Sequence, residues 1–367
     1  MGHQPYVSIL ELKQFISLEG TIKSRGLGMF AQSNERISIK PLGGTISRMN
    51  TLLGLDNING DYLELLVDSI YQAQQSMRIN KVGVFSNVSL NKQKVIQVLK
   101  QTGAKKINVL EKDAFPSIGH VKSGLAWFGI IRTKEKVICC VIEEYADQEY
   151  WQALDRSIPN NDMQRGIMNL KLSRVLMNLT LDRVIWDPFC GQGRTLVGGL
   201  SNKEELIASD KDGFLLPQLQ QNIDSAYQIE KHRNENLEKP KLILFEHDVT
   251  EPIDHQLLPE SGFSVVTEGY LGPSLSNDIS AMEIHENFEH ISGIWRNFFS
   301  HLQLMSVKDI IICIPAYKVD NKFVIHERFL DSLESWIPTH SLESKYNDIY
   351  ARKNARVGHH ILILRRK

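Results

Sequence analysis

Long apolar runs are missing from this chain of 367 residues. The longest, VICCVI (137–142) and IIICIPAY (310–317), fall far short of the roughly 20 residues that cross a bilayer, so no membrane span is expected. The first residues, MGHQPYVSILELKQF, mix polar and acidic side chains where a secretory signal has a basic segment and an apolar core, which points to a cytoplasmic protein. Cysteine is scarce: Cys139, Cys140, Cys190 and Cys313 include no C-x-x-C pair. Four cysteines in a chain this long are no disulfide framework, so they read as reduced, packed thiols. Metal-ligand spacing is absent among the histidines as well. His247, His285, His359 and His360 therefore read as structural, and no metal is expected. Nor does one sign of charge dominate, since the net charge is −1 and no overall basic field advertises a polyanionic partner. Residues 1–165 hold 20 Lys+Arg against 16 Asp+Glu, and 166–367 hold 22 against 27. A first half at +4 and a second at −5 permit RNA binding by the first without requiring it. Internal repeats and low-complexity tracts are also lacking, which excludes solenoids and fibres.

What is present is a regular second half. After an amphipathic run, GIMNLKLSRVLMNLT (166–180), come short β-rich segments at 183–187, 205–210, 241–248, 263–269 and 309–317, most of them separated by helical stretches. Near-continuous apolar strands alternating with helices predict a parallel sheet covered on both faces, an α/β fold of Rossmann type. The end, YNDIYARKNARVGHHILILRRK (346–367), predicts an antiparallel hairpin closing one edge of that sheet. The first half mixes helices expected at 60–77 and 91–103 with strands at 81–86, 105–111, 127–133 and 136–145, which reads as a smaller α+β domain. The expected division is a first domain over 1–150, a polar linker over 151–165 and the Rossmann-like domain over 166–367.

Opening a helix after a strand, DPFCGQG (187–193) places Gly191 and Gly193 where a backbone has to pass close to a ligand, and the helix start offers free N–H groups. The next strand ends in Asp210, about 20 residues on, where a doubly wound nucleotide fold puts an acid on the ribose hydroxyls. The third ends in Asp248, placed for an adenine edge. DPFCGQGRTL resembles motif I of Rossmann-fold S-adenosylmethionine-dependent methyltransferases, especially those acting on exocyclic amines of nucleic acids, whose usual form is DPFCGSGT. ASDKD (208–212) and HDVT (247–250) resemble their second and third motifs. The resemblance implies S-adenosylmethionine as cofactor, with Asp187, Phe189, Gly191 and Gly193 around its methionine part, Asp210 at the ribose and Asp248 at the adenine. A dinucleotide is disfavoured, because Leu196 stands where G-x-G-x-x-G needs its last glycine.

Upstream, GHQPYVSILEL (2–12), LGGTI (42–46), VGVFSN (82–87) and ALDRSIPNNDMQRGIMNLKLSRVLMNL (153–179) are similar in order to the THUMP-type tRNA guanosine-10 N2-methyltransferases and their uncharacterised bacterial relatives. Asp155, Arg156, Pro159, Asp162, Gly166, Met168, Lys171 and Leu172 fit the outline that precedes motif I there. The first domain is then THUMP-like and binds tRNA or another structured RNA, and a small activating protein partner is left open.

The family's fourth motif is D-P-P-Y or N-P-P-Y; here it is Thr267, Glu268, Gly269, Tyr270. In the family the first side chain and the next carbonyl accept hydrogen bonds from the target amine while the aromatic stacks on the base. By resemblance Thr267, Glu268 and Tyr270 form the catalytic end, Glu268 either supplying the missing carboxylate or gripping the cofactor's amino group. Lys92, Lys94, Lys100, Lys105 and Lys106, around the helix at 91–103, are the candidate phosphate contacts; Arg352, Lys353 and Arg356 add to the groove. Three readings follow: methyl transfer to an exocyclic amine of RNA, foremost guanine N2 of tRNA; DNA amino-methylation; and an RNA-binding protein that keeps the fold without the chemistry.

Overall fold

Residues 5–18, 20–24, 28–45, 47–56, 62–132, 136–161, 168–273, 280–320, 322–326, 329, 333, 336–338, 349–351 and 355–366 are described by the computed structural model. Arg352 and Lys353, expected to line a groove, and Asp162 and Gly166 lie outside them. The chain divides into two units, Met1–Pro5, Ile16–Lys40 and Thr45–Gln148 forming one and Tyr6–Phe15, Pro41–Gly44 and Glu149–Lys367 the other.

Helix α1 (Pro5–Lys13) thus goes mainly with the second unit, and the first starts with an antiparallel ribbon of β1 (Gly20–Ser24) and β2 (Gly28–Gln32). Then follow β3 (Ser47–Asp56), α2 (Tyr62–Met77), β4 (Lys81–Ser86), α3 (Lys92–Gln101), β5 (Lys106–Val109), α4 (Ile118–Lys122), β6 (Ala126–Arg132) and β7 (Lys136–Tyr145). The five main strands run in the order β3-β7-β6-β4-β5, parallel where β4 meets β5 and β6 and antiparallel at β7. Every residue of β4 after Lys81 is buried, as a strand covered on both faces requires. Asn91 caps α3 by accepting the Lys94 N–H at 3.1 Å, which satisfies a donor the helix start leaves free. That helix turns Val95 and Leu99 inward. Cys139 and Cys140 fall in separate apolar clusters, because neighbouring strand residues point to opposite faces. Burial raises both thiols above their ordinary pKa, so they pack as inert hydrophobes.

The second unit adds α5 (Gln148–Ser157), α6 (Leu170–Asn178), β8 (Val184–Asp187), α7 (Arg194–Val197), β9 (Glu205–Asp210), α8 (Leu216–Arg233), β10 (Lys241–Glu246), β11 (Phe263–Thr267), α9 (Ala281–Leu302), β12 (Val307–Val319), β13 (Lys322–Val324), β14 (Trp336–Pro338), β15 (Ile349–Tyr350) and β16 (Val357–Arg366). Its sheet runs β10-β9-β8-β11-β12-β16-β14. Strands β8 to β12 are parallel and β16 is antiparallel to β12. Strand order reverses beside β8, which makes the carboxyl ends of β8 and β11 the switch point where doubly wound sheets hold ligands. Two apolar clusters cover the two faces: Leu176, Leu196, Leu219 and Val266 belong to one, Trp186, Trp295, Phe298 and Ile312 to the other.

Three differences from the sequence-based expectation concern this unit. The supposed linker holds most of α5, whose Tyr150, Trp151 and Leu154 are buried, so 151–157 is an amphipathic helix with one face in the core. The LGGTI segment is split, Leu42, Gly43 and Gly44 joining the second unit. There the fully buried Glu11 of α1 accepts the Gly43 and Gly44 N–H groups, each at 2.8 Å, and the Asn178 amide at 2.7 Å. Finally, β16 does not close an edge; it lies between β12 and β14, and its apolar residues 361–364 are buried accordingly.

One buried charge pair ties the helices together. Arg174 of α6, completely buried, donates to Glu230 of α8 at 2.5 Å, to the Tyr150 hydroxyl of α5 at 3.1 Å and to the Gly198 carbonyl after α7 at 2.6 Å. Replacing Arg174 by Leu leaves Glu230 without its cation, and the expected loss is about 3–5 kcal/mol. Urea unfolding of Arg174→Leu checks this; a midpoint equal to wild type refutes the central role of the pair.

Candidate functional site

The glycine loop leaves β8 at Asp187, passes over the end of β9 and enters α7. Its two glycines serve different needs. Gly193, at φ +83°, would carry a Cβ 2.6 Å from Leu219 Cγ, so it is required for the turn and for α8 to pack. Gly191, at φ +49°, faces open space, with nothing within 4 Å of a Cβ, and it is here that a ligand can approach the backbone. Helix α7 is a single turn of four residues, too short for the helix-start anion site that the motif suggested, and the loop's own geometry shapes the crevice. Buried Asn222 fixes the loop from below. Its side-chain amide donates to the carbonyls of Gln192 and Asn160, both at 2.9 Å, and its carbonyl accepts the Asn160 N–H at 2.9 Å.

The acids converge on this loop. Asp210 at the end of β9 accepts the Gly191 N–H at 2.9 Å and the Asp212 N–H at 3.0 Å. Asp187 is fully buried; its Oδ1 accepts the Phe189 N–H at 3.1 Å, whereas Oδ2 is buried with no hydrogen-bond partner among the described residues. Burial pushes its pKa up to about 7, the Thr267 hydroxyl and the Phe189 N–H pull down, and the charges of Asp210 and Glu268 add to the rise. Asp248 is exposed just past β10, and its Oδ1 accepts the Thr250 N–H at 2.9 Å and the Thr250 hydroxyl at 2.7 Å. The Thr250 backbone hydrogen bond holds its carboxyl below the ordinary range. It is thus a turn former as well as a strand-end acid.

Two assignments change. Phe189 sends its ring away from the crevice, 5.0 Å from that of Trp295 and 6.2 Å from that of Phe298; its contribution to the site is the backbone N–H that holds Asp187. Thr267 is fully buried and its hydroxyl accepts the Gly269 N–H at 3.0 Å, so it braces the loop and Asp187 and presents no acceptor to a substrate. A one-residue shift decides this: as the last residue of β11, Thr267 points into the covered face, and Glu268 is the first free to point elsewhere.

After β11 the chain turns sharply at Gly269, φ +71°, and Gly272, φ +93°. A Cβ on Gly269 would lie 2.6 Å from Trp295 Cζ2, so one indole seats both this turn and Phe189. The Tyr317 hydroxyl donates to the Leu271 carbonyl at 3.1 Å. Tyr270 remains half-buried, its ring 6.1 Å from that of His290 in an edge-on arrangement. Sequence reasoning missed His359. Its Nε2 lies 2.6 Å from Glu268 Oε1, a contact across 91 residues that no spacing could signal.

Among the described residues no cluster of His, Cys, Asp or Glu could hold a metal ion. In the first unit Lys92 pairs with Glu111. Lys94, Lys100, Lys105 and Lys106 are exposed, but Lys94 and Lys100, six residues apart, lie about 120° apart around α3. Their side chains leave that helix about a third of a turn apart and form no single stripe.

Sheet order, switch-point glycine loop and strand-end acids together define a Rossmann-like, doubly wound fold with a ligand crevice at its switch point. No protein-family model matches the chain, and no curated protein does. Among solved structures, TrmN from Thermus thermophilus is similar over 100% of this chain and 97% of its own, with 12% identity and a TM-score of 0.48. A protein described as a possible methylase from Clostridium difficile 630 is similar over 89% and 85%, with 11% identity and a TM-score of 0.44. The rRNA methyltransferase aviRa from Streptomyces viridochromogenes is similar over 57% and 89%, with 14% identity and a TM-score of 0.35. At such distances a likeness does not reach chemistry, which has to come from the site itself.

The raised pKa of Asp187 has a thermodynamic consequence. Between its unfolded value near 3.8 and about 7 in the folded chain, the native state keeps a proton that the unfolded state has lost, so stability falls as pH rises through that window. The expected fall is on the order of 4 kcal/mol. Asp187→Asn removes this contribution, and the variant gains on wild type between pH 5 and pH 8 in urea titrations; a difference that is the same at both pH values rejects Asp187 as the titrating group.

Proposed function

We propose that the protein is an S-adenosylmethionine-dependent RNA methyltransferase whose target is an exocyclic amine, guanine N2 of tRNA. The observation that carries this is the open backbone face of Gly191, where nothing lies within 4 Å of a Cβ and whose N–H is held by the strand-end acid Asp210. With Asp210 and Glu268 close enough to raise the Asp187 pKa, the crevice is acidic, which suits a cofactor carrying both an ammonium and a sulfonium. Asp187 would shape the place of the methionine part by holding the loop through the Phe189 N–H, Asp210 would hold the ribose hydroxyls, and Asp248, through its second oxygen, the adenine amine.

When bound, S-adenosylmethionine supplies a methyl group already activated by positive sulfur. What remains for the chain is to orient the acceptor and accept its surplus proton. Glu268 does both: a carboxylate takes a hydrogen bond from the acceptor N–H, directs the nitrogen lone pair, and receives the proton the methylated amine sheds. Tyr270 offers a ring face for the base, which has to be flipped out or unpaired to enter. The first unit, read as THUMP-like, contributes phosphate contacts through Lys94, Lys100, Lys105 and Lys106.

Labelled S-adenosylmethionine, unmodified tRNA transcripts and nucleoside mass spectrometry test the proposal. The expected product is a methylated guanosine, and Asp210→Ala is expected to weaken cofactor binding by at least about tenfold, the scale of one lost charged hydrogen bond. Methylation of duplex DNA alone points to the DNA enzyme instead, and cofactor binding with no transfer to any nucleic acid points to a binding protein.

A further inference from the structure

We infer that His359 is a positioning residue for methyl transfer, holding Glu268 by Oε1 so that Oε2 faces the acceptor N–H; this rests on the transferase reading above. The sheet register explains how the two meet. Thr267 pairs with Ile312 across β11 and β12, and Pro315 pairs with His359 across β12 and β16. Glu268 and His359 therefore meet over the middle of β12, at the carboxyl end of the shorter β11, bridging the parallel part of the sheet to its antiparallel strand. That end of the sheet is also where Asp187 stands, and Glu268 is near enough to influence its charge.

The tautomer follows from the contacts. Nδ1 of His359 is buried with no hydrogen-bond partner among the described residues, so in the neutral ring Nε2, facing a carboxylate at 2.6 Å, carries the hydrogen and donates it. The ring is held on its other side by Tyr350, at 6.0 Å between centroids. A glutamate between a strand end and a sharp glycine turn has free side-chain torsions and aims poorly by itself; one fixed donor removes that freedom. Stability is a weak reason for the pair, since the His359 and Glu268 side chains are only 15% and 28% exposed and the desolvation of such a largely buried pair offsets much of its attraction. Placement of the carboxylate explains what stability does not: a family-type aspartate at 267 would be buried, and the acceptor function moves one residue on, to a longer side chain that needs a brace.

The test uses the full chain with His359→Leu, His359→Gln, Glu268→Ala and the double variant His359→Leu/Glu268→Ala, with methyl transfer to RNA and S-adenosylhomocysteine affinity measured on each. His359→Leu is expected to lower kcat about 100-fold, the cost of a misplaced reacting group, with cofactor affinity unchanged. His359→Gln, whose amide can donate from nearly the same place, is expected to stay within about threefold of wild type, and the double variant to be no slower than Glu268→Ala, because the two act as one unit. Leu turning over like wild type, Gln failing as badly as Leu while still binding the cofactor, or additive losses would each overturn the inference and leave the transferase reading standing. Absence of transfer by the wild type overturns both.

Discussion

The guanidinium of Arg174 is the contact on which the second unit depends. From α6 it reaches three other stretches of chain, α5, the turn after α7 and α8, each of which gives it one acceptor. All of these lie under the glycine loop. An arginine is suited to this because its planar fork reaches several acceptors at fixed angles. The arrangement is also demanding: Arg174 Nη1 finds no hydrogen-bond partner among the described residues, and removing any member leaves a charge stranded in an apolar surround. Asn222 extends the same principle outward, fastening the loop itself to α8 and to the segment before α6.

Above that foundation the crevice concentrates negative charge. Desolvation disfavours the ionised form of Asp187, and neighbouring acids disfavour it further. In the folded chain this burial is a cost carried at the crevice. The aromatic group beneath, Trp295 with Phe189 and Phe298, keeps both walls of the crevice in register, because one indole limits the approach of Gly269 and supports the motif I loop. Fold and electrostatics thus share residues, which is why the phenylalanine of the motif faces the core and not the ligand.

Much of this was legible in the order of residues. Apolar strands ending in Asp187, Asp210 and Glu268, spaced by amphipathic helices, predict a parallel sheet with acids at one end, and they do so by local periodicity alone. The alternation across β7 placed Cys139 and Cys140 on opposite faces. Less legible was anything that hinges on one residue of register. Thr267 and Glu268 are adjacent, and only the point where β11 ends determines which faces the crevice. The helix α5 was hidden in a polar stretch because its buried face consists of Tyr150, Trp151 and Leu154, too few apolar residues for a clear period.

The sequence by itself determined the class of fold, the glycine loop and the strand-end acids, since each depends on patterns a few residues long. Tertiary structure alone decided which side chains share the crevice. His359 meets Glu268 because β16 runs antiparallel beside β12, and Glu11 meets Gly43 and Gly44 because α1 belongs to the second unit. Contacts between residues tens of positions apart are set by the way whole strands and helices bury their apolar faces, and no local spacing carries that information.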